Sequence, residues 1–499
     1  MAELDLPVVH HLGSAPPVWQ APVDAAQWRL AAERAGRLVA LWGVGPGLDA
    51  KPARTDAKPA RINAALGFDD GLLWVELEVP PEGYPDLARL WPCATRMQRA
   101  AADLYGVQPA DAQDRRPWLD HGRRPEHPAA ADYDFVRVEG EGVHEIAVGP
   151  VHAGIIEPGH FRFSVVGEKV LRLEQRLGYT HKGVERRYTE LAPLEAHRLA
   201  GRASGDSTVA GAWAYCMALE TAAGVTPPPR ALALRATLLE RERIANHLGD
   251  LGALGNDAAF AFGLAQFSRL RELWQRLSKE AFGHRLMMDA VVPGGVACDL
   301  DGAMVRRQYE QCDAIEAEVR ELRRIYYGHA GMQDRFISTG RVDPELAARL
   351  GLTGLAGRAS GQARDLRCDQ RWPPYDRLAV RPAVHAAGDV ASRVAVRFEE
   401  VLESLRLIRA LADALPAGPC RVEVAVPQGP AHGAGWVEGW RGEIFVGLEL
   451  GAGKIARCHL HDPSWQNWPV LEHAIIGNIV PDFPLINKSF NLSYSGHDL

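Results

Sequence analysis

The sequence predicts an α+β protein: a small α/β domain first, then a mainly helical domain carrying a small peripheral sheet. Three observations predict this class. Two strand-like runs, "RINAALGF" and "GLLWVELEV", flank the turn residues "DDG" near the start, which is a hairpin pattern. Three long segments, beginning at Arg230, Phe262 and Asp301, repeat apolar residues at intervals of three and four, the period of an amphipathic helix. Strand-like runs return in "CRVEVAVP", "GEIFVGLELG" and "KIARCHLH".

The first domain spans 1–106. Its "DAAQWRLAAERAGR" reads as helix and "RLVALWGV" as strand, and the hairpin follows. "YPDLARLWPCATRMQRAAADLYG" then has helical periodicity, closed by Gly106 as a helix stop. Residues 107–132 are rich in Pro, Asp and Arg without a sustained period, so they are expected to form a solvated linker. The second domain, 133–499, begins with strands in "FVRVEG", "HEIAVG" and "GHFRFSVVGEKVLRLEQRLG". The three long segments and "VAGAWAYCMALETAAGV" then form a helical bundle. The tail "IIGNIVPDFPLINKSFNLSYSGHDL" reads as irregular. There is no internal repeat and no phosphate-cradling glycine loop.

Composition excludes several function classes. The formal charge of −7 over 499 residues leaves no basic footprint for nucleic acid. No apolar run approaches the ~20 residues of a membrane span, and the N-terminus lacks a secretory pattern. Membrane association is therefore expected through a partner. The seven cysteines are scattered without a C-x-x-C pair, as free thiols in a reducing cytoplasm are.

Several motifs occur in order: "GPVH…EPGHFR", "GYTHKGVERR", "LLERERIANHLGDLG", "VVPGGV" and "WPVLEHAIIGNIVPDFPLINKSF". On these the stretch 133–499 resembles the large subunits of formate hydrogenlyase-type (group 4) nickel–iron hydrogenases and their relative, the 49 kDa quinone-site subunit of respiratory complex I. Less tightly, "YPDLARLWPCATRMQRAAADLYGV" resembles the 30 kDa subunit of complex I, with Gln98-Arg99-Ala100 where that family has E-R-E. A fusion of the two is typical of the hydrogenlyase large subunits.

The resemblance implies where a metal would sit. Hydrogenases hold nickel and iron with R-x-C-G-x-C and a C-terminal D-P-C-x-x-C. Here those four positions fall on Ser204, Ser207, Ser493 and Gly496. The site needs soft, ionised thiolates, which a protonated hydroxyl, a glycine and the nearby Asp206 and His497 do not replace. The expectation is no metal, no nickel and no hydrogenase activity. Complex I has likewise lost the metal, and its vacated cavity accepts a quinone.

The quinone residues of that family are only partly matched. His152 matches one loop histidine, while Glu157 and His160 are polar candidates near it and suit proton delivery. Arg202 stands where complex I has a tyrosine, and either orients an acceptor or pairs with an acid. Met287 replaces a histidine near the terminal cluster. His181, Lys182 and Arg186 either face a partner's cluster, raising its potential, or form an exposed basic turn. Ser204, Ser207 and Asp206 also suit helix capping.

The chain is thus expected to bind no cofactor itself. It is expected to pass electrons from a 4Fe-4S cluster, held by a small iron–sulfur (20 kDa-like) subunit, to a quinone or similar acceptor in the vacated cavity. That makes it an oxidoreductase subunit of an NADH:quinone oxidoreductase-like complex. Antiporter-like membrane subunits and ferredoxin-like electron-input subunits are the other implied partners, and the expected place is the cytoplasmic face of the bacterial inner membrane. The alternative is a non-redox scaffold joining the small subunit to the membrane arm, with a filled cavity.

Overall fold

A computed structural model describes Leu6 and residues 10–45, 59–122, 133–153, 156–370 and 372–499. The first domain is a five-stranded sheet in the order β1-β2-β5-β4-β3, built from β1 (His10–His11), β2 (Val18–Pro22), β3 (Arg37–Val44), β4 (Arg61–Phe68) and β5 (Gly71–Glu78). Two helices accompany it, α1 (Ala25–Arg34) and α2 (Ala94–Tyr105). The β4–β5 hairpin turns at Asp69-Asp70, as the sequence indicates. Asp24 caps α1 by accepting from the Ala26 and Gln27 amides, and Gly106 closes α2 in the left-handed region, where a residue without Cβ is unstrained.

The expected solvated linker is packed where it is described. Trp118 is buried, and the amides of Trp118, Leu119 and Asp120 donate to the Asp103 carboxylate at 2.6, 2.6 and 3.2 Å. The guanidinium groups of Arg96 and Arg99 lie 4.6 and 4.9 Å from the Trp118 ring. Trp118 reads as a linker residue in sequence, yet it is buried against these two arginines of α2. Residues 123–132 lie outside the described part.

The second domain opens with the sheet β6 (Val143–Val148), β7 (His160–Val166) and β8 (Lys169–Arg176). "FVRVEG", expected as a strand, has no ladder partner. Next come α3 (Val184–Tyr188), α4 (His197–Ala203), α5 (Thr208–Ala223), α6 (Pro229–Asp257) and α7 (Ala261–Phe282). A two-residue ribbon, β9 (Val291–Val292) with β10 (Gly295–Val296), leads to α8 (Gly302–Gly328). Four short helices follow: α9 (Ala330–Phe336), α10 (Pro344–Leu350), α11 (Gly354–Ala359) and α12 (Leu366–Asp369).

The long α13 (Val390–Asp413) completes the bundle. It has no clear apolar stripe in sequence because Arg393, Arg397 and Glu400 interrupt it, and all three are buried. The last sheet is β11 (Ala431–Glu438), β12 (Glu443–Gly451) and β13 (Lys454–His461). "CRVEVAVP" contributes only an isolated bridge, Arg421 to Gly295. The expected irregular tail contains α14 (Ser464–Ala474), α15 (Phe483–Phe490) and α16 (Tyr494–Asp498).

Two contacts fix the core. Gly433 and Gly435 of β11 lie directly on α5: a Cβ there would meet the Ala218 and Ala214 carbonyl oxygens at 1.9 and 1.8 Å. The sheet's other contacts reach the first domain. Trp42 stacks on His459 with centroids 4.7 Å apart, Arg37 pairs with Glu443 at 2.6 Å and Arg61 with Glu449 at 2.8 Å. The two domains thus share buried apolar surface rather than hanging from a tether. Among the described residues, no helix is long and apolar enough to cross a membrane.

Candidate functional site

The four positions singled out by motif come together where α4 gives way to α5. Ser204 leaves α4 in extended backbone (φ −134°, ψ 105°), and a single 3-10 turn, Gly205–Ser207, leads into α5. The other half arrives from the C-terminal end of α15, where Asn491 takes left-handed backbone and turns the chain toward Ser493. The hydroxyls of Ser204 and Ser493 are 2.8 Å apart. Ser493 also accepts the Gly496 amide at 2.9 Å, capping α16. A side chain at Gly496 would meet Asp462 Oδ2 at 2.6 Å and Ser493 Oγ at 2.9 Å.

Ser207 joins them through Arg441. The Arg441 guanidinium donates to Ser207 Oγ at 3.2 Å and to both oxygens of Asp206. Asp206 accepts also from Ser204 Oγ at 3.0 Å. Burial raises the Asp206 carboxyl, but Arg441's charge and hydrogen bonds outweigh that and hold it below the usual carboxylate range. Arg441 lies 4.0 Å from the Trp440 ring, whose Nε1 donates to the Asp206 carbonyl. This rigid cluster forms one wall of a cavity of about 740 Å³, with Asp250, Arg271 and Lys488 also on its lining.

Capping, the simple reading of Ser204, Ser207 and Asp206, is not what they do here. Neither serine caps a helix with its side chain. The first amides of α5, at Val209 and Ala210, instead donate to the Glu242 carboxyl of α6 at 2.6 and 3.1 Å. Burial pushes Glu242 up to about 8, against the pull of those two amides. The folded protein therefore keeps a proton on Glu242 that the unfolded chain, at the ordinary 4.5, gives up. A raised folded value contributes stability fully below the unfolded value and loses it as pH rises through the folded one. The unfolding free energy of the wild type relative to Glu242→Gln should thus fall by up to about 1.4 kcal/mol per pH unit between about pH 5 and 7. A difference independent of pH in denaturant titrations would show that Glu242 is ionised.

The other expected site residues are scattered. Glu157 lines the cavity, is exposed, and accepts the Ser495 amide at 3.0 Å. His152 is half-buried; Nδ1 accepts from the Ala153 amide at 2.8 Å, and buried Nε2 has no partner among the described residues. Its ring neighbours Tyr494, which lines the cavity, at 6.3 Å, and burial lowers its pKa. His160 is turned to structure instead. Its ring nitrogens contact the Gly149 carbonyl at 3.1 Å and Arg162 at 3.4 Å, and it does not line the cavity.

Arg202 is likewise outside the cavity lining, paired with Asp289 at 2.7 and 2.8 Å. Of its two readings, the ion pair is the one formed. His181 is held by the Asp498 carbonyl at 2.7 Å, and Arg186 is exposed on the same turn. Met287 is buried in left-handed backbone. Arg441, Asp250, Arg271 and Lys488 were not legible as site residues: Asp250 and Lys488 lie inside "LLERERIANHLGDLG" and "WPVLEHAIIGNIVPDFPLINKSF", where nothing singles them out, and Arg441 and Arg271 lie in no motif.

The donor set does not suit a nickel–iron centre. It offers three hydroxyls, a glycine, a guanidinium and the Asp206 carboxylate paired with it, and none of the seven cysteines lines the cavity. Hard oxygens and a fixed cation favour hydrogen bonding over soft-metal ligation. Elsewhere, ligand atoms of Glu76, His432 and Glu449 lie within 4.8 Å of one another. There Arg61 bonds both carboxylates, at 2.9 and 2.8 Å, and already supplies the cation.

Comparison with known proteins follows the same lines. The family model for the respiratory-chain NADH dehydrogenase 49 kDa subunit matches residues 254–432, and that for the 30 kDa subunit matches 58–138. Formate hydrogenlyase subunit 5 of Escherichia coli is 32% identical over 447 residues, covering 85% of this chain and 78% of the relative. The carbon monoxide-induced hydrogenase of Rhodospirillum rubrum is 31% identical over 350 residues, 70% of this chain and 97% of the relative. Among solved structures, a chain of the archaeal membrane-bound sulfane sulfur reductase superposes with a TM-score of 0.67 at 24% identity. The match covers 72% of this chain and 99% of that one, a likeness of fold.

Proposed function

The chain belongs to the family of formate hydrogenlyase-type large subunits and complex I 30 kDa and 49 kDa subunits, and on that premise we propose that it is the nickel-free acceptor-site subunit of a membrane oxidoreductase complex. Its acceptor is a quinone or similar small molecule in the Ser204–Ser493 cavity. A 4Fe-4S cluster on a small iron–sulfur partner supplies electrons one at a time. Reduction of a quinone to the quinol consumes two electrons and two protons. The observation that carries this reading is the Ser204–Ser493 hydroxyl pair beside Arg441–Asp206 on an open cavity wall. The Ser204 proton goes to Asp206 and the Ser493 proton to Ser204, so a quinone carbonyl takes one of these hydroxyls in exchange for its present acceptor, and the Arg441 charge favours the negative charge that develops as electrons arrive. Glu157, exposed on the same cavity, is placed to relay protons from solvent.

The reading also assigns the surroundings. The turn carrying His181 and Arg186 faces the small subunit, antiporter-like subunits form the membrane arm, and ferredoxin-like subunits bring in electrons. The complex sits on the cytoplasmic face of the bacterial inner membrane. An open cavity supports this reading over a scaffold, whose cavity would be filled.

The test is quinone reduction by the purified membrane complex, with nickel measured by elemental analysis. Ser204→Ala with Ser493→Ala should lower the rate roughly 10- to 100-fold, the worth of hydrogen bonds of about 1.5–3 kcal/mol to a charged group. Arg441→Met should cost at least as much. Stoichiometric nickel with hydrogen evolution would overturn the proposal. A complex whose cluster is reduced but which passes electrons to no quinone would leave the scaffold.

A further inference from the structure

Arg271 differs from the other cations of the cavity. Arg441 is bound to Asp206, Lys488 to Asp250 at 3.1 Å, and Arg285 to Glu272. Arg271, on α7, lines the same cavity half-buried. No described residue accepts a hydrogen bond from it, and its Nε is shielded from solvent without a partner. A partly desolvated cation without a hydrogen-bond or ion-pair partner is unfavourable.

The place for this guanidinium is built by a second unfavourable choice. Gly249 lies inside α6, where glycine costs about 1 kcal/mol relative to alanine. A Cβ there would meet Arg271 Nη1 at 3.0 Å, Cζ at 3.2 Å and Nε at 3.3 Å. The glycine therefore leaves the slot in which the guanidinium rests against the α6 backbone. Three residues earlier on the same helix, Asn246 donates to the Asp206 carbonyl at 2.8 Å. The slot thus sits about one helical turn, ~5 Å, along α6 from the end of the cavity that holds the serine pair.

We propose that Arg271, seated on Gly249, is the binding group for an anionic substituent of the acceptor, a carboxylate, sulfonate or similar oxyanion. The planar guanidinium matches such a group with two parallel hydrogen bonds. The acceptor's reducible ring then lies toward Ser204 and Ser493, and its charged substituent lies on α7. This inference rests on the acceptor-site reading and narrows it: the site favours a charged, water-soluble acceptor over a neutral lipid quinone.

The test uses the purified complex with two probes of one ring system, 1,4-naphthoquinone-2-sulfonate and uncharged 1,4-naphthoquinone. Dissociation constants are measured by equilibrium dialysis, and reduction is followed separately. The wild type should bind the sulfonate at least tenfold more tightly than the neutral ring. In Arg271→Met that ratio should fall to about one, Arg271→Lys should keep part of it, and Gly249→Ala should lower it by displacing the guanidinium. A wild type without preference for the sulfonate, or an Arg271→Met complex that keeps it, overturns the proposal. Should Arg271→Met fail to assemble, an unchanged ratio in both Arg271→Lys and Gly249→Ala overturns it equally. The two readings separate cleanly. Arg271-dependent binding without reduction of either probe keeps the anion site and removes the electron-transfer role, whereas reduction without Arg271 dependence does the reverse.

Discussion

Replacing Arg358 with methionine should lower the unfolding free energy of the full chain by about 3–5 kcal/mol, read as a shift of the denaturant midpoint at constant slope. Arg358 is completely buried and serves three carboxyls. Its Nε donates to Glu400 at 2.9 Å, its Nη1 to Glu438 at 3.0 Å, and Asp365 lies 3.8 Å away. Around it, Arg367 binds Asp365 and Glu240, and Arg243 and His247 bind Glu400. Methionine keeps the bulk but leaves these carboxyls without their shared cation. Burial and the nearby Asp365 charge already push Glu438 upward, so the variant should take up protons there. A raised folded value loses its stability contribution as pH rises, so the deficit should be larger at pH 8 than at pH 6. An equal deficit at both would mean that the network relaxes without proton uptake.

The second large effect is steric. Gly435→Ala should destabilise the chain by about 3 kcal/mol or more, because its Cβ would stand 1.8 Å from a backbone carbonyl of α5. Neither partner is a flexible side-chain end, so the strand must leave the helix or the helix must bend. Gly433→Ala, at 1.9 Å from Ala218 O, belongs to the same class. Gly429→Ala meets nothing within 4 Å and should unfold like the wild type. Thermal unfolding of the three variants side by side checks this, and a wild-type midpoint for Gly435→Ala would mean that the α5–β11 contact gives way freely.

These two positions show what was legible in the sequence and what was not. The apolar run of α5 and the periods of α6, α7 and α8 are local signals, and they match the helices formed. Strand β11 was passed over because "AHGAG" lacks the branched and aromatic residues of a strand, and its glycines are explained only by a helix far away in sequence. Helix α13 escaped for the opposite reason. Its arginines and glutamate look like a solvated face, and only the buried partners on α6 and α11 show otherwise. In the site, the Ser204 and Ser493 regions were marked by motif and do meet. Capping by Ser204 and Ser207 failed because Glu242 takes the α5 amides. Arg271 and Gly249 carry no sequence signature, since their relation is a fit between two helices.

The contact between the first domain and the last sheet has a consequence for biosynthesis. Trp42 and Trp74, 5.3 Å apart, are covered by Phe445, His459 and their neighbours. Those covering residues leave the ribosome some 370 or more residues after Trp74, which at about 5–20 residues per second is roughly 20–75 s later. Throughout that interval the nascent first domain carries a bare tryptophan face. The fused gene therefore commits every chain to a long exposed stage, one that a holding chaperone can occupy and that premature termination would make permanent.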